Sequence, residues 1–467
     1  MGRFRNVFTN FYISLIQISM VLGQEKSKEE VLQLSEEAGV RFVKLQFTDV
    51  NGFLKAVTIP AEKLADAIDH NVWFDGSSVE GFARIAESDM FLKPDLSTFS
   101  VIPWSRGTDV PAARIICDVY TPDGEPFDGD PRYILKKQMK RAKDMGYEYY
   151  VGPELEFFMF RKVDGRIEPL PHDKAGYFDQ SMDLAGEIRN QMGLMLGEFG
   201  LNVEALHHEV AEGQHEINFK YSDALTQADS ASTFKFVVKS VAQKYDLHAT
   251  FMAKPVAGIN GSGMHCNQSL FKDGENVFYD GSSEDGLSRL AKNFIAGQLE
   301  HIKAMTAVIN PTVNSYKRLV AGYEAPVYIA WGQTNRSALI RVPRISRTTP
   351  KATRCELRSP DPSCNPYLAF AVMIAAGLDG IEKDKTPPSA INEDIYEYSS
   401  EKALEKGVET LPENLSHSLH FLEESSVIRD ALGEHTYKMF KRAKEAEWLE
   451  YKASVSEWER DKYLELY

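Results

Sequence analysis

Cysteine is scarce: four stand in 467 residues, at 117, 266, 355 and 364, and no C-x-x-C occurs. Neither a disulfide framework nor a zinc site is signalled, so reduced thiols in a cytoplasmic protein are expected. Positive charge is short as well. With 53 Lys and Arg against 68 Asp and Glu, the formal net charge is −15, which argues against nucleic acid or a membrane surface as partner. Long apolar runs are missing too, since nothing approaches the ~20 residues of a membrane span. The stretch FYISLIQISM behind Arg3 and Arg5 imitates a signal peptide, but Ser14, Gln17 and Ser19 interrupt it and no small-residue cleavage site follows. Residues 1–19 therefore read as an N-terminal extension, with Met20 as the native start. No P-loop occurs, and GINGSGMH lacks both its lysine and the spacing of a dinucleotide fingerprint. Any nucleotide must be held another way.

What remains is the composition of a globular protein, 43% hydrophobic and 26% charged, long enough for two or three domains at roughly 150 residues each. Ser27 and Glu30 form an S-x-x-E capping box, Val31, Leu34 and Ala38 mark one helical face, and Gly39 can close the helix. RFVKLQFTDV then alternates apolar and polar residues. Asn51-Gly52 suits a two-residue hairpin turn, and FLKAVTIP returns as the second strand. These elements predict a small α+β unit over residues 20–125. The Pro-, Gly- and Asp-rich TPDGEPFDGDP, residues 121–131, marks the boundary. Over 126–467, short strand-like runs alternate with helical stretches at 223–245 and 286–307, which predicts an antiparallel sheet surrounded by helices.

The chemistry lies on those runs. In VGPELEFF, Glu154 and Glu156 are two apart, so on a strand both carboxylates project from the face opposite Leu155 and Phe157. HHEVAEGQHEINF carries Glu209 and Glu216 on two runs joined by a Gly-containing turn. The same parity groups Arg354, Glu356 and Arg358, and likewise His265, Asn267 and Ser269. Taken singly, each reads as the solvated face of an antiparallel sheet. In combination, five carboxylates and an imidazole suit hard divalent cations such as Mg²⁺ or Mn²⁺. Arg318, Arg336, Arg341 and Arg358 supply forked donors for phosphate or carboxylate, which points to phosphoryl transfer onto an anionic substrate.

FDGSS, GPELEFF, HHEVAEGQHE, NGSGMHC, NSYKRLVAGYEAP, NRSALIR and CELRSPDPSCNPYL, in that order, resemble the signatures of type I glutamine synthetase from about Ser27 to the C-terminus. The resemblance implies a β-grasp-like N-terminal domain and a catalytic domain with a curved antiparallel sheet flanked by helices. It also implies a homododecamer of two stacked hexameric rings, with active sites between neighbouring subunits and a C-terminal helix reaching the opposing ring. ATP, glutamate and ammonium would be the substrates, joined through γ-glutamyl phosphate, with two or more Mg²⁺ or Mn²⁺ ions per site. By motif, Glu156, Glu209 and Glu216 would hold one metal, and Glu154, His265 and Glu356 the other. Arg318, Arg358, Asn260 and Gly261 match glutamate-binding positions. Arg336, Arg341 and Arg354 match those around the transferring phosphate and ATP, with Lys351, Ser269 and Asn267 on the nucleotide side. Glu324 resembles the acid of the flap over the intermediate, and Asp75, supplied by a neighbouring subunit, the residue that binds and deprotonates ammonium, with Tyr177 beside it. FARIAESDM resembles the non-adenylylated, alpha-like branch, in which Arg84 would answer a small effector, glutamine or 2-oxoglutarate. Small nitrogen-regulatory proteins are further implied partners. The alternatives are a glutamate–amine or polyamine ligase of the same superfamily and a non-catalytic homologue.

Overall fold

The computed structural model describes residues 22–79, 81, 89–163, 166–169, 173, 175–320, 325–395, 398 and 400–467. Residues 1–19, Met20, Arg84 and Glu324 lie outside them. Ser27 caps α1 (Lys28–Glu37) reciprocally: its hydroxyl accepts from the Glu30 amide while the Glu30 carboxylate accepts from its own. β1 (Phe42–Thr48) and β2 (Leu54–Pro60) pair antiparallel, but the turn is the five residues 49–53 rather than two. The cause is Asp49, buried at 1% exposure, whose carboxylate takes the Phe53 amide 2.8 Å away and closes a wider loop. Gly52 turns that loop at φ 86, and a Cβ there would meet the Asn365 backbone at 2.8 Å. Asn365 donates to the carbonyls of Asp49 and Val50, fastening the hairpin to the rest of the chain.

β3 (Val72–Asp75), β4 (Asp89–Pro94), β5 (Ser100–Val101) and β6 (Ala112–Tyr120) complete the first sheet. Its order is β2-β1-β6-β4-β3, with β5 on β6 and β1 parallel to β6. Val43, Leu45, Leu92, Ile115 and Val119 fill its core. The chain then enters α2 (Pro131–Asp144), capped by Asp130. Arg132 in its first turn is 3% exposed and joins the two domains, reaching Asp95 and Asp118 at 2.6 and 2.7 Å and Asp229 at 2.9 Å.

The second sheet is built on β7 (Glu148–Val163), a strand of 16 residues. Around it run β8 (Arg166–Pro169), β9 (Val203–His208), β10 (Gln214–Phe219), β11 (Ser222–Asp223), β12 (Leu247–Thr250), β13 (Met264–Lys272), β14 (Glu275–Asn276), β15 (Trp331–Gln333), β16 (Ile340–Val342) and β17 (Cys355–Leu357). The path is β15-β16-β17-β13-β7-β10-β9. It is not wholly antiparallel as expected, because β15 and β16 run parallel. Thr334 turns the chain at φ 58, and Asn335, tied to the carbonyls of Ile391 and Glu393, anchors the connection that returns it level with β15. The apolar face packs on α3 (Gly186–Glu198), α4 (Ala224–Lys244), α5 (Arg289–Ile309) and α6 (Pro366–Glu382). The chain ends in α7 (Glu434–Ala453) and a short helix, Glu457–Tyr463. Among the described residues no helix is long and apolar enough to cross a membrane.

Candidate active site

Alternation along β7 buries Leu155 and Phe157 completely in the core and sends Glu154 and Glu156 to the opposite face. Strand register then carries the polar row sideways. His265 on β13 lies opposite Glu154, Glu216 on β10 opposite Glu156, and His207 on β9 opposite Glu216. On the other flank Glu356 pairs with Asn267 and with Arg341. Glu154, Glu156, His207, Glu216, His265, Arg341 and Glu356 face a cavity of about 360 Å³, whose wall also includes Tyr177, Glu209, Asn260, Gly261, Arg318, Arg336 and Arg358.

On this cavity two groups of ligand atoms are close enough to share a cation. In the first, His265 Nδ1 is 3.6 Å from Glu154 and 4.0 Å from Glu356. Burial, then the Arg358 guanidinium, pushes this imidazole down to about 3, leaving it neutral with a lone pair to offer. In the second, His207 stands 3.4 Å from Glu209 and 3.5 Å from Glu216. Burial pulls His207 down, but the hydrogen bond and charge of Glu216, with Glu209, hold it above its ordinary value. Glu156 completes the acid set. Burial and then the charges of Glu209 and Glu216 push its carboxyl well above the usual range, although it accepts from the Gly263 amide at 2.8 Å and Gln214 at 2.9 Å. So many carboxylates that a proton is favoured among them form a site in want of positive charge.

The arginines are positioned by this acid row. Glu356 accepts from Arg341 at 2.7 Å and Arg358 at 2.5 Å, one on each oxygen. Arg318, 3% exposed, is braced by the carbonyls of Arg358, Ser359 and Pro360. Arg336 is exposed at the rim. A Cβ on Gly261 would meet the Ala253 carbonyl at 2.3 Å, so only glycine lets this wall pack.

Not every expected residue reaches the cavity wall. Asn267 bridges Glu154 at 2.9 Å and Arg354 at 2.8 Å. Ser269 is buried farther along β13, and Lys351 is exposed, 3.4 Å from Glu275. Asp75 ends edge strand β3, exposed, with its carboxylate capping the Ser77 amide. None of these five lines the wall. Glu324 and Arg84 lie outside the described residues. Sequence reasoning missed His207 and Gln214. Both were signalled by parity, His207 with Glu209 on one run and Gln214 with Glu216 on the next.

The β-grasp domain description of glutamine synthetase matches residues 39–122, and the glutamine synthetase catalytic domain matches residues 128–463. A glutamine synthetase of Halobacterium salinarum is 55% identical over 442 residues, covering 94% of this chain and 97% of that protein. One of Thermus thermophilus is 52% identical, with 94% and 99% covered. Among solved structures, GmaS in complex with ADP superposes with a TM-score of 0.84 at 35% identity, over 93% of this chain and 99% of that one. With both domains matched in order and relatives aligned over nearly their whole length, the chain belongs to the glutamine synthetase family.

Proposed function

We infer that the chain forms glutamine from glutamate and ammonia, driven by ATP, through a γ-glutamyl phosphate intermediate. The observation that carries this reading is the convergence of two carboxylate–imidazole groups and four arginines on one cavity. Glu154, His265 and Glu356 would hold one divalent cation, and Glu156, Glu209 and Glu216, with His207 in reach, a second. The donors fit Mg²⁺ or Mn²⁺: oxygen dominates, His265 is neutral, and burial together with the neighbouring charges of Glu209 and Glu216 raises the Glu156 carboxyl. Such cations, when bound, draw charge from the transferring phosphoryl group.

Arg318 and Arg358, with Asn260 and Gly261, seat glutamate, the guanidinium forks answering its carboxylates. Arg336 and Arg341 steady the γ-phosphoryl group, while Arg354, Lys351, Ser269 and Asn267 serve the nucleotide side. An oxygen of the γ-carboxylate attacks the γ-phosphorus, the bond to the β-phosphate bridge breaks, and ADP leaves. This gives the carboxyl carbon a leaving group it lacked. Ammonium must then lose a proton before its lone pair attacks that carbon and expels phosphate, which calls for nearby anions and exclusion of water. Asp75 and Glu324 fill those roles, with Tyr177 at the mouth. The exposed edge position of Asp75 supports its serving the cavity of a neighbouring copy. The apolar C-terminus, with Leu464 at 77% and Leu466 at 73% exposure, supports a stacked-ring assembly.

Phosphate release from ATP and glutamate, with ammonium or putrescine as acceptor, tests the reading. Release with ammonium alone is expected. Comparable release with putrescine would assign an amine ligase instead, and none with either would overturn catalysis.

A further inference from the structure

Beneath the cavity lies a second polar group that the reaction does not use. Asp173, His208 and His215 have fully buried side chains. His208 Nε2 is 3.0 Å from Asp173 Oδ1, and His208 Nδ1 is 2.6 Å from the main-chain carbonyl of Glu209. His215 Nε2 faces the other Asp173 oxygen at 3.8 Å, its ring edge-on to His208 with centroids 4.8 Å apart. Arg189 on α3 closes the row, with Nη1 2.9 Å from His215 Nδ1 and the guanidinium held by Asp183.

Two histidines and a carboxylate at this spacing resemble a metal site. The donor directions argue otherwise. A guanidinium can only donate, so His215 Nδ1 must accept, and its proton sits on Nε2, the atom a metal would need. At the other end a carbonyl can only accept, so His208 Nδ1 carries a proton, and the Asp173 carboxylate takes another from Nε2. Both imidazole N–H groups therefore point at Asp173, His208 bonded to it and His215 3.8 Å away, while Arg189 donates into the outer nitrogen of His215 and His208 donates outward to the Glu209 carbonyl.

We propose that Asp173, His208, His215 and Arg189 form a positioning network that sets the edge of the cavity formed by Glu209, Glu216 and Tyr177, without touching substrate. The network joins the chain segments that deliver these groups. His208 ends β9 beside Glu209, His215 precedes Glu216 on β10, and Asp173 lies four residues before Tyr177. The link from His208 fixes the Glu209 carbonyl, while the Glu209 amide donates to the Gln214 carbonyl at 2.9 Å, so the turn is held from both sides of one residue. Partners of this kind orient ligands, and their loss typically costs about 10–100-fold in metal affinity or activity.

The inference rests on Glu209 and Glu216 being cation ligands, and the test separates the two ideas. Mn²⁺ binding to the full-length protein is measured by electron paramagnetic resonance, and the Mn²⁺ dependence of turnover beside it, for the parent, Asp173→Asn, His208→Gln and Glu216→Gln. Asp173→Asn puts an amide donor where two imidazole N–H groups point. His208→Gln can reach Asp173 or the Glu209 carbonyl but not both. Both should fold, bind Mn²⁺ at least ~10-fold more weakly, and regain most of the parent turnover at saturating Mn²⁺. Parent-like Mn²⁺ affinity in either folded variant, while Glu216→Gln is impaired, overturns the positioning role. Failure of both variants to fold also overturns it, assigning the group to core stability. Parent-like affinity in Glu216→Gln overturns the cation-ligand reading itself, and the positioning role with it.

Discussion

The acids at the domain junction and the acids of the cavity are treated in opposite ways. At the domain junction Asp95, Asp118 and Asp229 surround the Arg132 guanidinium at 2.6–2.9 Å. Burial acts to raise Asp95 and Asp118, yet Arg132 overrides it and holds both below the usual carboxylate range. In the cavity, Glu156 is pushed the other way by burial and by Glu209 and Glu216. The cavity's arginines offset only part of that excess: Arg318 acts to lower Glu156, but burial, Glu209 and Glu216 outweigh it, and Arg341 and Arg358 both bond to Glu356. A junction satisfied by its own chain is a fastener. A cluster left short of positive charge is built for something that arrives from outside.

The largest test of that contrast is Glu356→Ala. It removes a cation ligand and the anchor of two arginines, so turnover should fall by at least ~100-fold, about 2.7 kcal/mol of transition-state stabilisation. A near-normal melting curve should accompany the loss, and normal turnover at ordinary Mg²⁺ would contradict the assignment. Next comes Arg132→Ala, which strands three carboxylates at the junction. A cost of about 3–5 kcal/mol in denaturant unfolding is expected, with turnover per folded chain near that of the parent. A third measurement asks which cluster wants a cation. Mn²⁺ at about 100 times its dissociation constant should stabilise the parent by ~2.7 kcal/mol. Arg132→Ala should keep that gain and Glu356→Ala should lose most of it, read as shifts in the unfolding midpoint.

The smallest effect is on acid stability. Because Asp95 and Asp118 are held low in the folded state, their contribution is fully present above the unfolded carboxylate value of about 4. It is lost as pH falls through the depressed folded values. Parent protein should therefore lose stability as pH falls below about 4, and Arg132→Ala, lacking the source of the depression, should lose less over the same range. Equal losses would show that Arg132 is not what holds those acids down.

Much of the cavity was legible in the sequence because strand parity is a rigid rule: Glu154 with Glu156, and His265 with Asn267, must share a face. Parity is silent on distance along a strand. Ser269 shares the face of His265 but lies four residues on, roughly 13 Å at about 3.3 Å per residue, and so misses the cavity wall. Side-chain competition for backbone groups was likewise hidden. Asn51-Gly52 reads as a two-residue turn until the Asp49 carboxylate, taking the Phe53 amide, widens it. The parallel pairing of β15 with β16 depends on contacts of Asn335 with residues more than fifty positions away, which no local pattern announces.

The contact between the hairpin and Asn365 bears on how the protein ages. Asparagine deamidates when the next residue's backbone nitrogen attacks the side-chain amide, and the nitrogen after Asn365 belongs to Pro366, which has no hydrogen to lose. That route is closed at the residue whose amide holds both hairpin carbonyls. On the other side of the same contact stands Asn51, followed by Gly52, whose nitrogen carries a hydrogen, crowded by no side chain and donated to the Asp49 carbonyl 3.0 Å away. Chemical wear at this junction should therefore begin in the loop at Asn51, while the asparagine that grips it outlasts its partner.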